Sequence, residues 1–596
     1  MQQARAACFF EVSWEVCNKV GGIYTVLASK AAQLQRQYAT LFFIGPYIAR
    51  HAAAEFQHLP TPEKLQPVFE ALRSEGIECY YGTWQIKGKP AAVLIDWVKF
   101  LQNKDGIKAY LWERFRIDSL AAGSDFDAPV VWGWAVGKFL EKVMQAWQCT
   151  DAVAQFHEWL SGAALLYVKD KRVPLAAVFT THATVLGRTL AGADRPLYEE
   201  LAHLHADEEA QASGVQAKHG LEKASAQAAD VFTTVSEITA LEAEHLLGRK
   251  PDALLPNGLD FERFPDLEQI PAKHQVYRER IKEFLYPYFF PYYSFDLDKT
   301  LFFYTSGRYE FRNKGIDSTI AALGRLNERL KQEKSDRTVV AFFFIPADIH
   351  VLNLGLVESK SLFEDLQDEI GHYLGTMGQR MIQAVAQGTP PDEAALFDEE
   401  FLFKMKRFIL SFRKEGTPPL ATHELANADD AILRGFAQAQ LQNRAEDRVK
   451  VILYPIYLSS SDGLIDLGYY ETIWGCHLGI FPSYYEPWGY TPLESAAYGV
   501  PAVTTDLAGF GIYAQQRLKK RDSGIFIVSR RGKSDDTAVG QLAAQLYDYA
   551  MLPKSRRVQN KIAAEHFARR LDWKELIGQY IEAHNMALER VRHGAP

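Results

Sequence analysis

Along most of its length this chain alternates short apolar runs of strand size with longer stretches of helical periodicity, and that alternation limits it to few folds. Residues 7–12, 41–45, 91–95, 152–156, 175–180 and 231–235 read as strands, and helical stretches such as 134–148 and 161–168 lie between them. A strand, a helix and a second strand place two parallel neighbours in one sheet with the helix across its face. Repetition of that unit predicts a parallel, doubly wound α/β domain. Ligands of such sheets sit beyond the C-terminal ends of the strands. Polar residues gather at those ends: His157-Glu158-Trp159, Thr181-His182-Ala183-Thr184, and Ser236.

The pattern then breaks and resumes. Residues 251–264, PDALLPNGLDFERF, carry the proline and Asn-Gly signals of a connector, which puts a domain boundary near residue 262. Residues 273–285 read as a helix, and YPYFFPYYSF after them as a surface aromatic cluster that covers the helix or meets another subunit. Strand-sized runs return at 299–306, 339–345, 451–455, 476–481 and 502–505, and the last helices fall at 538–550, 554–570 and 574–591. Residues 355–445 are charged and helically patterned without evident strands, as expected of a helical insertion. At 596 residues the chain is too long for one core. The pattern predicts two Rossmann-like domains, 1–262 and 263–573.

Charge and composition exclude several function classes. A net charge of −8 gives no overall attraction to nucleic acid or to an acidic membrane surface. No apolar run approaches the ~20 residues needed to span a bilayer. The five cysteines include no CxxC pair of the kind that builds a zinc site or a disulfide framework. Without a basic-then-apolar leader the expected location is the cytoplasm.

Three loops carry the candidate chemistry. In 481–511 a strand leads through Glu486, Pro487, Trp488, Gly489 and Tyr490 into a helix opened by Thr491, Pro492, Leu493 and Glu494. Its N-terminus favours an anion, with two carboxylates beside it; Glu494 is read either as orienting a ligand or as complementing the helix dipole. Lys19, Gly21 and Gly22 precede the helix 25–37, where glycine lets a backbone approach a phosphate closely. Arg308, Arg312 and Lys314 lie in the loop between the strand 299–306 and its helix, a set that suits a diphosphate. Two D-x-D patterns, Asp125/Asp127 in a loop and Asp296/Asp298 before a strand, invite a metal. The arginine and lysine already supply positive charge, so the expectation is no metal and no cofactor.

Six segments taken in order, EVCNKVGGIYTVL (15–27), FHEWLSG (156–162), THATVLGR (181–188), VSEITALEAEHLLGRKPDALLPNGL (235–259), SGRYEFRNKG (306–315) and GCHLGIFPSYYEPWGYTPLES (475–495), resemble the glycogen synthases of the animal and fungal type. Those are retaining UDP-glucose glycosyltransferases of the GT-B fold, two Rossmann-like domains facing across a cleft. The resemblance implies transfer of glucose from UDP-glucose to the non-reducing end of an α-1,4-glucan such as glycogen. It implies that Glu486 and Glu494 form the family's E-x7-E pair and that Arg308 and Lys314 neutralise the diphosphate. His182 and Arg188 would face the donor from the first half, Tyr469 would stack on the uracil, and Gly489, Tyr490 and Thr491 would donate to the phosphates. Lys19, Gly21, Gly22, His157, Glu158 and Trp488 complete the implied substrate site. The resemblance also implies that 574–596 completes the first domain, that 273–285 and 355–445 pair subunits into a tetramer, and that a C-terminal helix binds glucose 6-phosphate.

The chain departs from the family in that last helix. It keeps Arg556 and Arg557, with Lys561 one turn beyond, but has few arginines after them. Short stretches before the first strand and after the last helix predict no phosphorylated tails. Two alternatives remain beside the leading reading: a transferase of the same fold using ADP-glucose or another glycan, and a catalytically silent glucan-binding protein.

Overall fold

The strand-forming runs assemble into two large sheets in a computed structural model that describes residues 3–266, 268–518 and 523–593. The outermost residues of 1–262 and of 574–596 lie outside that description. The first sheet has nine strands: β1 (Cys8–Val12), β2 (Thr40–Pro46), β3 (Phe56–His58), β4 (Glu78–Trp84), β5 (Ala91–Asp96), β6 (Ala152–His157), β7 (Ala176–Thr181), β8 (Val231–Thr234) and β9 (Ala253–Leu254). Their order is β3-β4-β5-β2-β1-β6-β7-β8-β9. All neighbours from β5 to β9 are parallel, but β4 runs antiparallel to both β3 and β5. Sequence pattern missed this antiparallel edge because β4 mixes buried and half-exposed residues without strict alternation, Tyr80 and Tyr81 both being half-exposed, and carries a glycine, Gly82.

The second half contributes β10 (Thr300–Ser306), β11 (Thr338–Phe344), β12 (Ile349–Leu352), β13 (His423–Leu425), β14 (Val449–Tyr454), β15 (Leu478–Ile480), β16 (Ala502–Thr505) and β17 (Ile525–Val528). Six of them form a wholly parallel sheet, β14-β11-β10-β15-β16-β17. Every residue of β6, β7, β10, β11 and β14 is buried. Parallel strands covered on both faces by helices read as continuous apolar runs, which is why these were the most legible elements.

The chain crosses between the two halves at one place. The outgoing chain at Leu259 and the returning chain at 571–573 bond to each other, Leu259 N–H to the Leu571 carbonyl at 2.9 Å and Trp573 N–H to the Leu259 carbonyl at 3.1 Å. The helix Trp573–His593 then packs on β6, β7 and β8 and on the helix Gly22–Gln37 of the first half. Trp573 is buried, and its indole N–H donates to the Ser29 hydroxyl at 2.7 Å.

Three expectations need correction. The segment 355–445 is not wholly helical. The long helix Leu354–Ala386 and the helix Glu399–Phe412 form the projecting part, but β13 pairs with β12 and the helix Ala431–Gln438 packs on Ile316–Gln332. The aromatic run after residue 285 packs on the core rather than forming a surface cluster: Pro287, Tyr288 and Phe289 are buried within the helix Ile270–Phe289, and Tyr286, Phe290, Tyr293 and Phe295 are half-buried against the same core. Asp125 and Asp127 lie in the first turn of the helix Ser124–Trp147, not in a loop, because that helix accommodates Pro129 near its start. Among the described residues no helix is long and apolar enough to cross a membrane.

The terminal helix predicts a measurable cost. Trp573→Ala removes a buried indole at the junction of the two halves and should lower unfolding free energy by about 3–5 kcal/mol in urea denaturation. Wild-type stability in that variant would show that the terminal helix is dispensable for the first half.

Candidate active site

Each sheet has one place where the strand order reverses, and the candidate residues come from both. In the first sheet it lies between β1 and β6, in the second between β10 and β15. At such a point the connections leave to opposite faces and open a crevice beyond the strand ends.

In the second half, the loops after β10 and β15 are fastened to each other. The Asn313 carbonyl accepts the N–H groups of Tyr484 and Tyr485 at 2.9 and 3.2 Å. Gly315 has φ +66°, and a Cβ there would lie 2.2 Å from the Pro482 carbonyl, so only glycine permits this approach. The fastening brings Lys314 and Glu486 together, with Nζ 2.5 Å from Oε2 and both side chains mostly buried. Gly489, at φ +106°, turns the chain into the helix Tyr490–Ala497, whose first residues, Tyr490 and Thr491, line the cleft. Arg308 stands at the edge, largely exposed and 3.0 Å from Glu310.

In the first half, Glu158 follows β6 with φ 63° and ψ 168°, a strained backbone for a residue with a side chain, costing about 1–3 kcal/mol. Its carboxylate accepts the N–H groups of His182 and Ala183 at 3.0 and 3.1 Å, so the strain is spent holding the loop after β7. Burial pushes this carboxyl up to about 7, against the pull of Arg188 and the two N–H donors.

Behind that loop runs a buried chain of polar groups. Lys30 Nζ bonds Glu11 at 2.8 Å, Glu11 bonds His157 Nε2, and His157 Nδ1 lies 2.9 Å from His182 Nε2. Burial alone would raise Glu11, but the charge of Lys30 and the bond from His157 hold it down at about 2. Burial lowers both histidines, which are therefore neutral. With Glu11 ionised, His157 donates through Nε2 and accepts at Nδ1 from His182 Nε2–H, which leaves His182 Nδ1 as a lone-pair acceptor.

The two halves enclose a cleft of about 870 Å³, lined among others by Gly21, Gly22, Glu158, His182, Arg188, Arg308, Lys314, Glu486, Trp488, Gly489, Tyr490 and Thr491. Four expected residues are not on its wall. Lys19 is exposed, its ammonium 5.7 Å from the Tyr24 ring centroid. His157 lies behind His182. Tyr469 bonds Ser306 at 3.1 Å and packs edge-on against Tyr470. Glu494 sits in the second turn of its helix and accepts the Tyr470 hydroxyl at 3.2 Å; burial pushes it up to about 7.

The cleft also contains groups that sequence reasoning missed. Glu15 is buried, and one carboxylate oxygen accepts the N–H groups of Gly21 and Tyr24 at 2.8 and 2.9 Å. It occupies the helix N-terminus that the glycine pair was expected to open to a phosphate. The glutamate lay within the quoted motif, but nothing in its spacing distinguishes a cap from a ligand. Asn257 Oδ1 and Trp488 Nε1 are buried beside the cleft without a hydrogen-bond partner among the described residues. Unpaired buried polar atoms are costly, so a polar group that reached them would be favoured there.

A second basic group lies apart from the cleft. Lys561 Nζ is 3.2 Å from both ring nitrogens of His274. Arg278, Arg557 and His477 stand close enough to affect their charge states mutually, and Arg278 Nε is buried without a partner among the described residues. Burial, then Arg278, pushes Lys561 well below its ordinary value. Arg557 donates to the Leu552 carbonyl, whereas Arg556 bonds Gln559 at 3.1 Å on the exposed side. Neither D-x-D pair lines the cleft: Asp127 pairs with Lys104 and Lys108, Asp125 with Lys218, and Asp298 with Lys282.

Comparison with known proteins bears on this geometry. The family model for glycogen synthase matches residues 11–594. The liver glycogen [starch] synthase of Mus musculus is 38% identical over 98% of this chain and 83% of its own length. The glycogen [starch] synthase of Neurospora crassa is 37% identical over the same shares. Among solved structures, the catalytic domain of starch synthase IV from Arabidopsis thaliana, bound to ADP and acarbose, is similar with a TM-score of 0.51 at 11% identity, covering 98% of this chain and 100% of that one. That likeness is one of fold.

The raised carboxyl of Glu494 has a sign that can be checked. Its folded value near 7 stands above the ordinary 4.5, so the folded protein keeps a proton that the unfolded chain releases, and stability falls as pH rises from 4.5 to 7. Glu494→Gln should therefore gain stability relative to wild type on going from pH 5 to pH 8 in paired urea titrations. An unchanged difference would mean that Glu494 is ionised and solvated in the fold.

Proposed function

Because the chain belongs to the glycogen synthase family, whose model matches nearly its whole length, we propose that it transfers glucose from UDP-glucose to the non-reducing end of an α-1,4-glucan with retention of configuration. The observation that carries the proposal is the Lys314–Glu486 pair, held where the reversal points of two sheets face each other. Cleaving the bond between glucose C1 and the diphosphate develops positive charge on the sugar and negative charge on the departing UDP. Lys314 and Arg308 stabilise the leaving diphosphate, and Glu486 stabilises the sugar. Fixed charges in an enclosed site do so without reorganising at the moment of reaction. The first helical N–H groups after Gly489 add donors for phosphate oxygens. Asn257 and the neutral, tautomer-fixed His182 supply polar contacts to the sugar from the opposite wall. No metal enters this scheme, because lysine and arginine supply the countercharge.

The half-buried basic group around Lys561 supports a second element of the proposal, a site for a sugar phosphate such as glucose 6-phosphate. Basic groups held close together and partly out of water disfavour one another's charge, as the lowered values of Lys561, Arg278 and Arg557 express, and an anion joining them relieves that cost. Arg557 and Lys561 belong to that site; Arg556 does not point into it. The projecting helices Leu354–Ala386 and Glu399–Phe412 expose Leu374, Ile382, Val385, Phe403 and Leu410. Such apolar faces fit the self-association, as a tetramer, that the family resemblance implies, in a cytoplasmic protein.

The assay is transfer of labelled glucose to glycogen in EDTA. UDP-glucose should support a higher initial rate than ADP-glucose, and Glu486→Gln or Lys314→Met should each lower kcat by about 10²–10³-fold. Absence of transfer, preference for ADP-glucose, or a requirement for Mg²⁺ would each overturn the corresponding part. For the second site, glucose 6-phosphate should raise the melting temperature of wild type and leave that of Lys561→Met unchanged; equal shifts in both would remove the site from Lys561.

A further inference from the structure

The segment that carries Glu486 is held from two directions. Its backbone is tied to its own half through Asn313, but its side chains reach out of that half. The Tyr485 hydroxyl donates to Glu242 Oε2 at 3.3 Å, the Tyr484 hydroxyl to Glu199 Oε2 at 2.9 Å, and the Ser236 hydroxyl to the Pro487 carbonyl at 2.6 Å. Both tyrosines are buried and pack with Leu186, Leu190, Ile238 and Leu507 in an apolar cluster built by both halves. Glu242 is the centre of this contact. It is fully buried on the helix Glu237–Leu246, and it also accepts the Thr184 hydroxyl at 2.6 Å and the Tyr198 hydroxyl at 2.9 Å. Thr184 caps the helix that bears Arg188 and follows His182 by two residues. A Cβ on Gly187 would lie 2.4 Å from Glu242 Oε2, so the absence of a side chain at 187 keeps room for this carboxylate.

We propose that Glu242 is a positioning residue: by accepting the Tyr485 hydroxyl across the interface it holds the halves closed and sets Glu486 against the loop that carries His182. The inference rests on the reading of Glu486 as the group facing the sugar. Glu242 itself does not line the cleft and touches no reacting atom. Its Thr184 and Tyr198 bonds lie within the first half and survive opening, whereas the Tyr485 bond exists only when the halves meet. A hydrogen bond that is made in only one of two states shifts their ratio by about 2- to 10-fold.

The test uses the full chain with UDP as the probe. Small-angle scattering of wild type with UDP should match the closed structure. Tyr485→Phe, which keeps the ring and removes the hydroxyl, should shift the curve to a larger radius of gyration and lower kcat/KM for UDP-glucose by about 2- to 10-fold. Tyr198→Phe removes a hydroxyl from the same carboxylate within one half and should match wild type in both measurements. Glu242→Gln should lose activity like Tyr485→Phe, and the double variant should lose no more than the worse single one. If Glu242→Gln does not fold, the two tyrosine variants still decide the matter. The inference is overturned if Tyr485→Phe behaves as wild type, if Tyr198→Phe is equally impaired, or if the two losses add. Should wild type transfer no glucose, the functional proposal fails, and the scattering comparison alone decides the latch.

Discussion

A charge taken out of water must be met by another charge or by hydrogen bonds, and the cleft of this protein is arranged around that requirement. Glu486 is met by Lys314, and Glu11 by Lys30 and His157. Glu15 and Glu158 are met by backbone N–H groups, each carboxylate holding a loop or helix start in place. Glu242 is met by three hydroxyls. Each solution fixes a segment whose position matters to the site, so compensating the charges also sets the geometry. Compensation is incomplete at Asn257 Oδ1, at Trp488 Nε1 and, beside Lys561, at Arg278 Nε, none of which has a hydrogen-bond partner among the described residues.

The covalent connection between the halves is narrow, while the contact between them is rich. The chain crosses at Leu259 and returns at 571–573, two strands of backbone bonded to each other. Residues 484–487, by contrast, meet the first half through three hydroxyls and an apolar cluster. With so narrow a covalent connection, the contact at the segment beside Glu486 bears on how the halves sit relative to each other. The architecture thereby joins domain closure to the placement of a single carboxylate.

Much of the fold was legible because its strands are buried on both faces. Continuous apolar runs such as β10 and β11 have no competing interpretation, and their alternation with helices implies parallel order. The half-exposed β4 and the short β13 gave no such signal, and the aromatic run at 286–295 was misassigned because composition does not report which side of a helix faces the core. The candidate site was legible in part. Lys314, Glu486 and His182 stand at strand ends, where this architecture collects ligands. Glu15, Glu242 and Asn257 were silent, because a buried acid that caps a helix or gathers hydroxyls has the same local sequence as one that faces solvent.

Sequence alone determined the two α/β halves, the cleft-facing strand ends and the basic and acidic residues in their loops, because periodicity and chain order control which ends lie together. Only the tertiary structure decided which of those charges are paired. Lys314 and Glu486 are 172 residues apart, and Glu242 and Tyr485 are 243 apart. Whether such groups meet depends on how two separate sheets are oriented, a relation that no local pattern encodes.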